Sequence, residues 1–409
     1  MAVNAGDTAW VLVSAALVLL MTPGLAFFYG GMARRKNLLS TIMMSFAVMG
    51  LVGVLWALWG YSFAFGTDAG GFIGGVDYIA LTGVGMEASE TYASSVPHLA
   101  FMAFQGMFAI ITVALITGAV VERMKFSALL VFSALWVTVV YAPVCHWVWG
   151  DGGWLAGLGA LDFAGGAVVH INAGVSALAL VLLLGKRKGF PGDIMEPNNI
   201  PMVALGAGLL WFGWFGFNAG SSLAADGLAA NAFVATNLSA AAAGFTWMVI
   251  GWITRRPSLL GTVTGAVAGL VAITPAAGFV HPIAGIPIGV IVAIVCYFSV
   301  VLMKKKLHFD DSLDVFAVHG VGGIWGALAT GIFASSAVSG TAGLIEGNAS
   351  QLLTQFISVI AVAAFAFVLT WILGKLVDVT IGLRVGPMEE TLGLDLSQHG
   401  ERAYGGLLR

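Results

Sequence analysis

Apolar stretches of about twenty residues, each long enough to cross roughly 30 Å of hydrocarbon as a helix, recur from Trp10 to Trp371 and leave the chain few alternatives. They read as eleven helices, at 9–32, 40–65, 98–121, 126–146, 163–185, 200–218, 228–253, 259–276, 281–303, 315–335 and 350–376. Strand-type alternation is absent, so the expected fold is an all-α integral membrane protein. Of the 409 residues 59% are hydrophobic and 9% charged, a balance that no water-soluble fold hides inside itself. The net charge of -3, with no basic run above three residues, gives no reason to expect a nucleic-acid partner. Residues 1–8 carry no basic segment, so the first apolar run is expected to be a retained helix and not a cleaved signal. Cys145 and Cys296 are too few for a disulfide framework and read as packing residues.

Charge orients the helices. With eleven spans, all 17 Lys and Arg fall on one side: Arg34, Arg35 and Lys36; Arg123 and Lys125; Lys186, Arg187 and Lys188; Arg255 and Arg256; Lys304, Lys305 and Lys306; then Lys375, Arg384, Arg402 and Arg409. By the positive-inside rule that side is the cytoplasm, which puts the N-terminus outside and the C-terminus inside a multi-pass protein of the inner (cytoplasmic) membrane. The opposite connections carry acids, among them Asp68, Asp77, Glu87, Glu90, Asp151 and Asp226, and would concentrate cations at the outer mouth.

Five helices per half force the two halves to run in opposite directions, the condition for an inverted repeat with a site near the midplane. Weak internal similarity supports it: Asp162 stands eight residues before His170 (DFAGGAVVH), and Asp311 eight before His319 (DSLDVFAVH). The expected layout is therefore a 1–377 transmembrane domain and a 378–409 cytoplasmic tail. Its repeat halves lie at about 9–190 and 200–335, holding helices one to five and six to ten, with helix eleven at about 350–376.

Ionisable groups inside spans are costly and tend to serve function. Two histidines at matching places of an inverted repeat should meet near its axis, so His170 and His319 are the first candidates for a pore lining. As neutral imidazoles they can share one hydrogen bond and offer a donor and an acceptor to a small polar guest. No third ligand stands beside them in the sequence, so no metal or other cofactor is expected. Asp162 at the outer start of helix five, and Asp314 at the inner start of helix ten, read as N-caps. A buried carboxylate at Asp162 would also add negative potential near a cation. No nucleophile and base pair or cofactor motif suggests an enzyme. Among 13 Trp and 26 Phe, composition does not choose the functional rings.

Four segments do choose. PGLAFFYGG in helix one, LDFAGGAVVHINAG in helix five, WFGFNAGSS at the end of helix six and DDSLDVFAVHGVGG in helix ten resemble the pattern of the ammonium transporter (Amt) family and span almost the whole chain. FQGMFAIITVALITGAVVERMKFSA, HWVWGDGGW and the tail GLDLSQHGERAY add to the likeness. The resemblance implies a homotrimer in the lipid membrane, each protomer with its own narrow apolar pore. It implies a substrate vestibule of Phe108, Trp149 and Ser221 with Asp162 adding field, a gate of Phe108 and Phe217, and a pore lined by His170, His319 and Trp214. The substrate would be ammonium or ammonia, with methylammonium as an analogue. One departure is the loop GDGGW, which holds an extra residue and Asp151; another is Thr264, where many relatives carry serine.

On composition alone the tail reads as a disordered extension. Its similarity to the family implies instead an ordered segment that lies across the neighbouring protomer and helps a PII-type nitrogen regulator to dock. Two other readings share the architecture. An ammonium sensor would bind the substrate and signal through its tail, and an Rh-type channel would pass ammonia or carbon dioxide, although Trp149, Ser221 and the tail favour Amt.

Overall fold

The computed structural model describes residues 2–404, so Arg409 and the last residues of the tail lie outside the described part. Ten helices there are long and apolar enough to span a bilayer: α1 (Ala5–Met32), α2 (Arg35–Phe65), α3 (His98–Val120), α4 (Phe126–Gly157), α5 (Gly166–Leu184), α6 (Ile200–Ser222), α7 (Gly227–Thr254), α9 (Pro282–Leu307), α10 (Phe316–Phe333) and α11 (Ala349–Ile381). Between α7 and α9 the eighth, α8 (Leu259–Ile273), is apolar but shorter. The chain is a multi-pass membrane protein of eleven helices, as the apolar runs led one to expect.

The packing repeats with the topology. Helix α1 lies along α6, their counterpart positions in the two halves; α2 packs on α3 and α4 as α7 packs on α8 and α9; α3 meets α5 as α8 meets α10. At the centre α5 and α10 cross, and α11 lies outside the repeat against α4, α5 and α10. Glycine allows the two central approaches. A methyl group on Gly206 would overlap Phe28 N across the α1–α6 seam, and one on Gly174 would overlap Gly320 N and Cα where α5 and α10 cross. Large apolar side chains such as Leu12, Phe212, Phe245, Phe298 and Ile360 stay exposed on the outside of the bundle, the inverse of a soluble fold.

Two features of the connections were not legible in the sequence. Between α2 and α3 at the acidic end, two short antiparallel ribbons form, Asp68–Ala69 with Ile73–Gly74 and Ala88–Ser89 with Ala93–Pro97. At the basic end the charges are not all a solvated rim. Arg187 and Arg123 are 5% and 0% exposed. Arg187 Nη2 pairs with Asp310 Oδ1 at 2.7 Å and its Nη1 with Glu122 Oε2 at 3.0 Å, while Arg34 Nε reaches Glu122 Oε2 at 2.7 Å. Burial pushes the Asp310 and Glu122 carboxyls up, but the guanidinium groups beside them outweigh it and hold both below the ordinary carboxylate range. The network ties the ends of α1, α3 and α5 to the segment before α10.

The described part of the tail packs on its own chain through α12 (Pro387–Leu392) and α13 (Leu394–His399). Asn37 Oδ1 accepts from Leu394 N at 2.8 Å, Asp395 Oδ1 accepts from Ser40 N at 2.7 Å, and Glu390 Oε2 pairs with Arg384 Nη2 at 2.8 Å.

Candidate functional site: an aromatic vestibule above a histidine-lined slot

Asp162 does cap α5, and more completely than one N-cap bond. Gly165 adopts a φ of +117°, which turns the chain so that the carboxylate accepts four backbone N–H groups. Oδ1 takes Gly165 N at 2.8 Å and Gly166 N at 2.6 Å; Oδ2 takes Ala167 N at 2.7 Å and Val168 N at 3.2 Å. The first turn of α5, Gly166–Ile171, is a π-turn, and so is that of α10, Phe316–Gly320. Each widened turn carries one histidine; among the described residues three further π-turns, Trp56–Gly60, Val137–Tyr141 and Leu302–Leu307, lie elsewhere in the bundle, so the turn alone does not mark the site. The expected cap at Asp314 is not made. Its side chain pairs with Lys304 Nζ at 2.8 Å, and Asp311 Oδ2 instead accepts from Phe316 N at 2.7 Å. Asp314 sits at a φ of +63°, which turns the chain so that the carboxylate three residues earlier serves the helix start.

His170 and His319 are 1% and 4% exposed. Their Nδ1 atoms lie 3.3 Å apart and the ring centroids 5.3 Å apart, with 26° between planes. One proton fits between two nitrogens at that distance, so one imidazole donates and the other accepts. His170 Nε2 is buried with no hydrogen-bond partner among the described residues. It belongs to an apolar slot lined also by Leu25, Phe28, Leu115, Leu210, Val267 and Trp214, with a volume of about 10 Å³. That is at the limit for a single water. Trp214 stacks on His170 at 5.4 Å between centroids, held by Nε1 donating to Thr274 Oγ1 at 2.8 Å.

A ladder of rings leads from the slot to the acidic end. Phe217 lies 6.1 Å from His170 and 4.3 Å from Phe108, and Phe108 meets Trp149 edge to face at 5.8 Å. Both phenyl rings are fully buried, so the path is closed at this level. Above them opens a cavity of about 330 Å³ walled by Trp149, Ser221, Gln105, Tyr92, Phe101 and Phe163 among others. Ser221 Oγ donates to Phe217 O at 2.8 Å, which leaves its lone pairs to accept from a guest. Trp149 Nε1 donates to the carbonyl of Asp162 at 2.8 Å. The Asp162 carboxylate is spent on the helix and does not wall the cavity, so it can act there only through its charge. Asp151 points outward, exposed, and Trp149 stands at the cavity wall.

Below the histidines a chamber of about 20 Å³ is lined by Tyr29, Thr264, Leu313, Asp314 and His319, and a wider mouth of about 260 Å³ by Arg34, Glu122, Arg187 and Lys304. Of the sequence candidates, Trp149 and Ser221 wall the outer cavity, His170, His319, Trp214 and Phe217 line the slot, Asp162 lies in the scaffold, and Phe108 is buried beneath the cavity and is not among its walls. Gln105 was missed. Its Oε1 is buried without a partner among the described residues, and the signal was available: an amide side chain inside an apolar span. Phe28 was missed inside the quoted motif PGLAFFYGG, because only the α1–α6 seam turns it toward the slot. Among the described residues no cluster of His, Cys, Asp or Glu could hold a metal ion.

The sequence matches the family model described as the Ammonium Transporter Family over residues 9–404. The chain belongs to that family. Among its relatives, the ammonium transporter Amt1 of Archaeoglobus fulgidus is 54% identical over 399 residues, covering 98% of this chain and 99% of that one. The crystal structure of Candida albicans Mep2 superposes with a TM-score of 0.90 at 38% identity, over 98% of this chain and 91% of that one. A structure described as a sensor Amt protein superposes with a TM-score of 0.89 at 31% identity, over 96% and 98%. The relatives named ammonium transporters are membrane transporters and not enzymes.

Proposed function

We propose that the chain moves ammonium nitrogen across the cell's inner membrane, with the basic end in the cytoplasm and the N-terminus outside. Trp149 offers a ring face to the cation at the cavity wall, with Phe108 at the closed floor beneath it; the contact is worth about 0.5–2 kcal/mol depending on desolvation, and Ser221 accepts an N–H bond that potassium has no hydrogen to make. Ammonium gives its proton to water of the outer cavity above Phe108 and Phe217, and ammonia passes along the slot beside Trp214, hydrogen-bonding to His170 and His319. The observation that carries this reading is the slot itself: some 10 Å³, apolar, with one unspent imidazole nitrogen. A cation entering it would lose its hydration with almost nothing in exchange, whereas the neutral amine loses little.

Protein reconstituted in a supported membrane and pulsed with ammonium, methylammonium or potassium tests the proposal. Ammonium-dependent flux without a potassium response is expected, and replacing both histidines by leucine should abolish selective flux. Unchanged uptake in that double variant would overturn the role of the pair. The same recording reports whether charge crosses with the nitrogen.

The assembly proposed is a homotrimer, and its tail is the proposed docking element for a PII-type regulator. A sensor is the second reading, favoured by the 31% identity with the sensor Amt protein. Absence of flux from the isolated protein, together with ammonium binding, would select it.

A further inference from the structure

The two aspartates that start the histidine-bearing helices are not equivalent. Asp162 receives four backbone N–H groups, divided between both oxygens. Its repeat partner Asp311, only 2% exposed, receives Phe316 N on Oδ2, and its Oδ1 has no hydrogen-bond partner among the described residues. An unpaired carboxylate oxygen in a buried site is expensive as an anion and cheap as an acid. Its charged and titratable neighbours come from every side: Asp314 on its own segment, Lys304 at the end of α9, Tyr29 on α1 and Arg123 after α3. Lys304 is already committed to Asp314, and Arg123 gives its Nη1 and Nη2 to Ser312 Oγ and Asp310 O. Burial, and then the charge of Asp314, push the Asp311 carboxyl up to about 6. Asp311 itself lines neither inner cavity, but its chain neighbours do: Ser312 walls the 260 Å³ mouth, and Leu313 and Asp314 wall the inner chamber.

The bond Asp311 makes is the anchor of the π-turn Phe316–Gly320, and His319 is inside that turn. A carboxylate at a helix start holds the N–H by a charge-assisted bond and favours the local dipole; a neutral carboxyl does both less well. We propose that Asp311 is a positioning residue for His319 whose charge state sets conduction: as a carboxylate it keeps the turn and the histidine pair in register, and protonated from the cytoplasmic mouth it lets the turn loosen and slows flux. This rests on the pore reading of the histidines. The outer half is anchored more fully: burial pushes the Asp162 carboxyl up as well, but both of its oxygens are held by backbone N–H groups.

The test is ammonium flux in liposomes carrying wild type, Asp311→Asn or Asp311→Glu, with equal pH on both faces, from about pH 5 to about pH 8, so that substrate speciation cancels between proteins. Asparagine imitates the protonated acid. The ratio of wild-type to Asp311→Asn flux should therefore be near unity at the acid end and rise several-fold to a plateau at the alkaline end. Asp311→Glu should keep the wild-type sigmoid. A ratio that is constant with pH, whatever its size, means a purely structural aspartate and overturns the inference while leaving the transport reading intact. No ammonium flux from wild type at any pH would sink the transport reading and this inference with it. If Asp311→Asn does not assemble, Asp311→Ser serves as the uncharged reference in the same ratio, and a ratio constant with pH overturns the proposal.

Discussion

Gly174→Ala adds one methyl group at a point where the structure has no room for it. Gly174 lies one turn beyond His170 on α5, against Gly320, the residue after His319. The new methyl would overlap Gly320 N and Cα and stand 2.9 Å from the carbonyl carbon of His319, where carbon atoms rest at about 3.5–4.0 Å. All three are backbone atoms, so no rotamer change relieves the clash, and the crossing has to open by about 1 Å. The histidine Nδ1 atoms, 3.3 Å apart, already stand slightly beyond the usual range for a nitrogen-donated bond, and an opening of half that size breaks their contact. Overpacking of this kind costs about 1–3 kcal/mol of stability, read as a lower thermal midpoint, and the lost register of the histidine pair should cut flux roughly tenfold. Two substitutions calibrate it. At Gly320 a methyl meets the Phe316 ring at 2.7 Å and Gly174 C at 3.5 Å, and the ring can turn aside, so a milder defect is expected. At Gly208 it meets nothing within 4 Å among the described residues, and alanine there should be neutral or add up to about 1 kcal/mol of helix stability. The assay is ammonium flux from liposomes with equal amounts of protein, alongside the thermal midpoint in detergent. Wild-type flux in Gly174→Ala, or equal losses in Gly174→Ala and Gly208→Ala, would refute the link between this crossing and the histidine pair.

Asp310→Asn leaves Arg187 buried without its full counter-charge and should cost about 3–5 kcal/mol, read as a lower thermal midpoint. Because the Asp310 and Glu122 carboxyls sit below their ordinary range, the stability they contribute is complete above about pH 4 and disappears as pH falls through their lowered values. The variant should accordingly lose less stability on acidification than wild type, and equal losses would contradict the assignment. Trp149→Leu removes a ring face from the vestibule and should raise the half-saturating ammonium concentration roughly 2- to 30-fold, with a smaller change in maximal flux. Phe217→Ala opens the closed level between the vestibule and the slot, and a potassium response absent from wild type is expected in the supported-membrane recording. In the tail, Asp395→Ala frees Ser40 N and should expose the segment after Arg384 to limited proteolysis while leaving the helix bundle resistant.

The number of spans and the two-half design could be read from the chain because hydrophobic length is a one-dimensional property. About twenty apolar residues must cross the bilayer in whatever order they pack, and the distribution of lysine and arginine constrains the count. The histidines stood out for a similar reason, as ionisable groups where lipid penalises them. The rings did not. Phe108 and Phe217 are separated by 109 positions, yet their centroids lie 4.3 Å apart, and nothing in either helix alone distinguishes them from other phenylalanines. Which face of each helix turns inward depends on rotation and crossing, and those are set where Gly206 meets Phe28 and Gly174 meets Gly320. Only the folded chain decided that Asp311, not Asp314, holds the start of α10, and that Arg187 and Arg123 are buried bracing and not a solvated rim. Each of these depends on partners brought together from distant parts of the sequence, and a carboxylate or guanidinium group takes its role from the atoms it meets, not from its place in the chain.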